Sequence, residues 1–412
     1  MKTTVVAAMV SAVPGTFASA CGRHLALVAL SAAAVIGPMS ATACTAIIVG
    51  KKASATGRVI VAHNNDGSQR NVMRYAMLPR RSHAPGETMV QEANLAKIPE
   101  APVSAACYWS EVKSPSGAPP PGDHFLNEFG VLVVSNNGGV VREWHGEEYS
   151  LPDEGRYSEV EDGGLGHNFR RAVIERSHTA REAISVATNL LETWGYAMPS
   201  RIFTIADKDE AWVLEVLKGR RYVARRCPDD AVVMHPNCLS IGALQEGDVV
   251  SPCFAAKGPE FDFIAAYQGP RTWKSSYNVY RWREAYRRLA GVEIGDCGEY
   301  PFSVVPVRKV GWGEIRAALS SHLEGTSHEQ ASQHPLDAQD NAVSICRRGT
   351  MQSMACLFAE DPADTVVYVA KGRPCTAQFQ KCRPFRGEMP EGAVSGDEAI
   401  ARLKVHSLPL KR

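Results

Sequence analysis

The amino-acid sequence predicts an α+β fold. Short β-rich runs bounded by turn residues fill both halves of the chain, and helix signals arrive in pairs between them. Few β-α-β units alternate in the way a doubly wound parallel sheet requires, so layers of antiparallel strands and helices fit the pattern better.

The elements follow in order. "TAIIVG" and "RVIVAH" read as a hairpin joined by "KKASATG", which sets Cys44 at a strand start. The polar, Pro-rich region from "PRRSHAPGE" to "SPSGAPPPGDH" reads as loops around a catalytic face or surface insertions. "FGVLVVSNN" is a strand closed by two asparagines. "HNFRRAVIERSH" and "TAREAISVATNLLETWG" are helical, the second opened by a Thr179/Glu182 capping box and followed by Gly195. "RIFTIADKDEAWVLEVLKGRRYVARR" predicts three antiparallel strands with turns at "DKDE" and "KGR". Helices are expected at "YRWREAYRRLAG" and "GWGEIRAALSSHL", then a β-rich stretch with "DTVVYVAKG".

Length and composition set the class. A chain of 412 residues, 45% apolar and 22% charged, supports a large core. A formal net charge of +1 gives no electrostatic reason to bind nucleic acid or an anionic membrane. The basic clusters "RRYVARR" and "RWREAYRR" read as solvated faces of a strand and a helix.

The first 43 residues read as a leader that is removed. Their apolar run "LALVALSAAAVI" is about a dozen residues, short of the roughly 18 to 20 that span a bilayer. Ala41 and Ala43 then form a small-x-small cleavage site. "FASAC", ending at Cys21, is a second, weaker site, and the length of the leader makes Met9 a candidate start. The expected organisation is therefore a leader over 1–43, a catalytic domain over 44–390 and a C-terminal tail over 391–412, in an exported protein with no membrane attachment once the leader is gone.

There are eleven cysteines. Export permits disulfides among them, with connectivity unreadable from spacing. No C-x-x-C occurs and no Cys/His spacing resembles a zinc site, so His322, His328 and His334 read as loop residues.

Cleavage after Ala43 would make Cys44 the first residue. Three roles compete for it: half-cystine, lipid attachment point, or nucleophile. "SATAC" lacks the branched apolar residue expected three positions before a lipidated cysteine. An N-terminal cysteine holds a thiol, reference pKa about 8.5, beside an α-amine of about 7.7 to 8 that can relay the thiol's proton.

From Cys44 onward "CTAIIVGKKASATGRVIVAHNND" resembles the opening of the dipeptidase A and secernin-like cysteine peptidases, relatives of penicillin V acylase and bile-salt hydrolase in the N-terminal-nucleophile (Ntn) hydrolase superfamily. The resemblance continues through "NEFGVLVVS", "FTIADKDEAWVLEV", "VARRCPDDAVVMHPN", "HLEGT" and "SICRRGTMQS", to about residue 385. It implies a four-layer αββα sandwich with two stacked antiparallel sheets. It makes Cys44 the nucleophile and Asp66 the carboxylate that orients the new α-amine. Asn136 or Asn137, and Asn237, match positions of oxyanion donors, and Arg281 the arginine that completes the site. His63 stands where many relatives carry Arg, a departure that leaves its binding of a substrate carboxylate open, since histidine is shorter and not always charged. Without the resemblance, Asp66 and the asparagines equally fit turn positions.

The function so implied is hydrolysis of dipeptides or short peptides, with a small peptide as partner, no metal or organic cofactor, and a homo-oligomer compatible with the sequence. Two alternatives stay open: an amidase acting on non-peptide N-acyl compounds, and a non-catalytic lipid-anchored surface protein.

Overall fold

The computed structural model of the chain describes residues 44–405, except 68–71, 93, 114–121, 140–142, 145–147, 150, 256, 259, 269–275, 296–299, 331–333 and 335–342. The leader, with both of its cleavage sites, and residues 406–412 lie outside the described residues.

The hairpin read from the sequence is β1 (Thr45–Val49) and β2 (Ile60–Asp66). Four strands follow, β3 (Val72–Leu78), β4 (Cys107–Lys113), β5 (Gly122–Asn127) and β6 (Leu132–Asn137). Helices α1 (Phe169–Ile174) and α2 (Ala180–Trp194) lead into the meander β7 (Tyr196–Ala206), β8 (Ala211–Gly219) and β9 (Arg221–Arg226). Next come β10 (Val232–His235), β11 (Val249–Val250), α3 (Ser276–Ala290), β12 (Ser303–Val304) and α4 (Trp312–Leu319). The chain closes with β13 (Thr350–Leu357), β14 (Val366–Lys371), β15 (Gln380–Cys382), β16 (Val394–Ser395) and α5 (Gly396–Val405).

Two sheets result. One has seven strands in the order β12-β10-β1-β2-β13-β14-β15, the other nine in the order β11-β9-β8-β7-β6-β5-β4-β3-β16. The pairing of β3 with β16 is parallel; the other pairings in these sheets are antiparallel.

Side-chain alternation along each strand assigns the layers. Ile48, Val61, Val233 and Met354 of the first sheet meet Leu132, Val134, Ile202 and Val213 of the second, forming the core between the sheets. Ile47, Ala62, Met234 and Ala355 turn the other way, onto Trp282, Tyr286, Ile315 and Leu319 of α3 and α4. On the far side Val133, Phe203, Ile205 and Leu214 pack on Phe169, Ile184 and Leu191 of α1 and α2. The layers are therefore α, β, β, α, the sandwich the resemblance implies.

Helix α2 shows why its ends fall where they do. Thr179 Oγ1 accepts from Glu182 N at 3.1 Å, while the Glu182 carboxylate reaches back to His178 N at 2.7 Å. Gly195, at φ +67°, ends the helix in a conformation that costs other residues more.

Three expectations need correction. The Pro-rich region contributes β4, a strand of the nine-stranded sheet, because "CYWSEVK" carries enough β-favouring side chains to pair with β3 and β5 despite its polar flanks; its 114–121 portion lies outside the described residues. The basic strand is not a solvated face: Arg221 pairs with Glu154 at 2.5 Å and Arg225 clamps both oxygens of Asp248, at 2.9 and 2.6 Å. Their acidic partners come from distant segments, so local sequence could not show them. On the basic helix, Arg287 and Arg288 gather on Glu284, and Arg281 is fully buried. Residues 391–412, set apart as a tail, include β16 and α5, whose Ala399 and Leu403 pack in the outer core of the nine-stranded sheet.

Leu132→Ala, which empties a site in the inter-sheet core, is expected to lower the unfolding free energy by about 2–5 kcal/mol. Thr179→Ala, which removes one cap, should cost only ~1 kcal/mol. Urea titrations of the two variants beside the wild type check the ranking.

Candidate active site

Cys44 stands immediately before β1, a strand flanked on both sides within the seven-stranded sheet, and is 7% exposed. The β1/β2 register pairs Thr45 with Asn64 and Ala46 with His63. Continuing it places Cys44 opposite Asn65. The Cys44 thiol accordingly points to Asn65 Oδ1, at 3.7 Å. Alternation puts Cys44, His63 and Asn65 on the face toward the second sheet, and Thr45, Asn64 and Asp66 on the face toward α3 and α4.

From α3, Arg281 reaches the start of β1. Its Nη1 donates to Cys44 O at 2.7 Å and to Thr45 Oγ1 at 3.0 Å. Its Nη2 donates to Asn237 Oδ1 at 3.1 Å and to Asn278 Oδ1 at 3.0 Å. Occupation of Asn237 Oδ1 fixes the orientation of that amide, and one hydrogen of Nδ2 then goes to Asn137 O at 3.1 Å. The segment after β10 is held from beneath by Glu215 of β8, which accepts from Ser240 N at 2.6 Å and Ser240 Oγ at 2.7 Å. Burial pushes the Glu215 carboxyl up to about 7 against those hydrogen bonds.

His63 is buried and paired on both ring nitrogens. Nε2 faces Asn136 Oδ1 at 3.0 Å, and Nδ1 lies 3.4 Å from Asp123 Oδ2, an ion pair without a formed hydrogen bond. Burial would push the imidazole down, but Asp123, with the neighbouring Cys44 thiol, holds it protonated up to about 10. Burial likewise works against the Asp123 charge, yet His63 and His124 keep that carboxyl well below the usual range. The departure at position 63 is thus compensated: a carboxylate on β5 makes this histidine a cation. It is fully buried, with both nitrogens engaged.

Asn136 Nδ2 donates to His235 O at 3.1 Å and Pro236 O at 3.2 Å, so both of its amide hydrogens have acceptors and its oxygen faces His63. In this arrangement Asn136 holds His63 and the β10 end in place and has no amide hydrogen left for an oxyanion. Asn137 is exposed, and its Oδ1 accepts from Gly139 N at 3.0 Å. The structure therefore gathers Cys44, His63, Asn136, Asn237 and Arg281 around one strand start, with Asn137 at the rim.

Asp66 lies on the helix side of β2. Its Oδ1 accepts from Thr350 Oγ1 at 2.6 Å, and Oδ2 has Arg347 Nη1 at 3.7 Å and no hydrogen-bond donor among the described residues. Burial pushes this carboxyl up to about 6, with Arg347, Thr350 and Arg281 pulling the other way.

Sequence reading missed Asp123, Asn65, Asn278, Arg347, Thr350 and Glu215. Thr350 and Arg347 lie within "SICRRGTMQS", Asn65 within "VIVAHNND" and Glu215 within "FTIADKDEAWVLEV", stretches whose pattern does not mark these roles; Asp123 and Asn278 act from a distant strand and helix. It also missed a second cluster. His322, His334, Cys346 and Cys375 present one donor atom each within 4.8 Å of one another. This corrects the reading of His322 and His334 as plain loop residues; the partners lie too far apart in sequence for any spacing motif. The nine described cysteines, Cys44, Cys346 and Cys375 among them, are unbridged.

The sequence pattern of peptidase family C69 matches residues 43–126 and 155–391. A dipeptidase of Bifidobacterium longum is 27% identical over 332 residues, covering 71% of this chain and 61% of its own. A probable dipeptidase of Salmonella dublin is 23% identical over 335 residues, covering 77% of this chain and 75% of its own. Dipeptidase A of Lactobacillus helveticus is 28% identical over 244 residues, 56% of this chain and 47% of that protein. The chain thus spans about half to three quarters of the length of these relatives. Among solved structures, a conjugated bile acid hydrolase of Clostridium perfringens aligns over 86% of this chain and 99% of its own, at 13% identity and a TM-score of 0.35.

The His63–Asp123 pair has a pH signature. A histidine whose folded pKa lies above its unfolded value of about 6.5 contributes stability that is complete below that value and is lost as pH rises toward the folded one. Unfolding free energy should therefore fall between about pH 6.5 and about pH 10, and Asp123→Asn should flatten that slope. Nitrogen NMR of His63 checks the cause directly: protonated at pH 8 in the wild type, neutral in Asp123→Asn.

Proposed function

Because the chain belongs to peptidase family C69, we propose that it is an exported cysteine dipeptidase, with Cys44 as its N-terminal nucleophile after removal of residues 1–43. The observation that carries this is the bonding of Arg281, which holds the Cys44 carbonyl and the Asn237 amide in one fixed geometry. The names of the dipeptidase relatives support the choice of a short peptide as substrate.

The residues divide the work by charge. In the cleaved chain Asp66, the residue after Asn65 on β2, takes the new α-amine; its Oδ2 is a buried acceptor with no hydrogen-bond donor among the described residues. A carboxylate raises an amine's pKa, so Asp66 serves to orient the amine rather than to acidify it. The amine takes the thiol proton, and the thiolate attacks the peptide carbonyl. The second Nδ2 hydrogen of Asn237 serves the oxyanion in this reading, and the Arg281 bond to Asn237 Oδ1 keeps that amide from flipping. The protonated amine then returns its proton to the leaving nitrogen, and water hydrolyses the thioester.

Secreted protein that begins at an unmodified Cys44 and hydrolyses dipeptides is the expected result of N-terminal sequencing and assay. Cys44→Ala should abolish turnover, and Asn237→Ala should lower kcat by about 10²–10³-fold with KM little changed. A chain that retains residues before Cys44 yet turns over dipeptides at full rate would remove the α-amine from the mechanism.

A further inference from the structure

The cluster of His322, His334, Cys346 and Cys375 lies outside the proposed mechanism. Three of the four side chains are buried and Cys375 is partly so. His334 Nε2 is its focus: His322 Nε2 lies at 3.0 Å, Cys375 Sγ at 3.5 Å and Cys346 Sγ at 3.6 Å. One ring nitrogen carries at most one hydrogen, so it can satisfy only one of these three neighbours. His334 Nδ1 is itself buried with no hydrogen-bond partner among the described residues.

We propose that these four side chains bind one zinc ion in a structural Cys₂His₂ site. Zinc takes imidazole nitrogen at about 2.0–2.1 Å and thiolate sulfur at about 2.3 Å in a tetrahedron. The resulting edges are roughly 3.3 Å between nitrogens and ~3.6 Å between nitrogen and sulfur. The observed separations of 3.0, 3.5 and 3.6 Å already approach them. Two soft thiolates with two imidazoles select zinc over magnesium or calcium. Charge closes as well: a divalent cation with two thiolates and two neutral imidazoles is neutral, which suits a buried position. Binding releases the two thiol protons to solvent.

The surroundings supply the outer contacts of such a site. His322 Nδ1 faces Glu324 Oε1 at 3.1 Å, which fixes the tautomer that leaves Nε2 free to ligate. The rings of His322 and His334 meet at 62° rather than stacking, so their Nε2 atoms converge. The ligands come from the segment after α4, the segment before β13 and the turn after β14. Two of those segments already touch: Cys346 N donates to Ser321 O at 2.9 Å, and Asn64 of β2 donates to both Leu319 O and Ile345 O. The residues that follow Cys346 include Arg347 and Thr350, the two that hold Asp66. The zinc is thus a clamp behind the carboxylate of the candidate active site, and no step of hydrolysis passes through it.

The test uses the full chain, expressed and purified without chelator, both as wild type and as Cys44→Ala. Elemental analysis should give about one zinc per chain in each, so the result stands whether or not the enzyme mechanism does. Cobalt exchanged into the wild type should show the visible bands of a tetrahedral site with thiolate-to-metal charge transfer. Cys375→Ser and His334→Asn should lose both the metal and those bands, and Cys253→Ser, outside the cluster, should keep them. Glu324→Gln, a surface change that spares the ligands, should weaken zinc by about 10–100-fold in competition with a chelator. Wild-type protein that binds neither zinc nor cobalt would overturn the proposal, as would a Cys346–Cys375 disulfide in non-reduced peptide maps.

Discussion

The buried guanidinium of Arg281 is the contact on which the candidate site depends. Removing it from water costs several kcal/mol, and the structure offsets this with hydrogen bonds to four oxygens from three separate segments. Those oxygens belong to the start of β1, the segment after β10 and α3 itself. One planar cation thereby sets the distance between the Cys44 backbone and the Asn237 amide. A lysine could not reproduce that fork, because its ammonium is a point charge without fixed donor directions.

That arrangement explains what was legible in the sequence. The β1/β2 hairpin, helix α2 and the β7-β8-β9 meander were readable because their signals are local: alternation, a cap, a turn of fixed length. The seven-stranded sheet was not readable as such, since β1 lies between β2, which ends at Asp66, and β10, which begins only at Val232. β4 was missed because its polar and proline-bearing neighbours dominate the composition of that region.

The site shows the same division. Cys44 stood out because an expected cleavage site and a strand start coincide there, and the resemblance pointed to Asp66, Asn136, Asn237 and Arg281. What it could not give was the use of each hydrogen. Asn136 spends both amide hydrogens on the β10 end, and His63 gains its charge from Asp123 across the gap between the sheets. The basic clusters misled for a related reason: a run of arginines looks solvated until a fold brings Glu154, Asp248 and Glu284 against them. The Cys/His cluster was invisible because its members are separated by loops whose lengths carry no motif.

The parallel strand Val394–Ser395 lies against β3 at the outer end of the nine-stranded sheet. Without it, β3 would offer its unpaired amides and carbonyls to any passing strand, including the same strand of another molecule. Residues 394–405 therefore act as a guard against edge-to-edge aggregation, with α5 pressing the short strand into place. A segment some three hundred and fifty residues beyond Cys44 in sequence is in this sense what keeps the sandwich dispersed at high concentration.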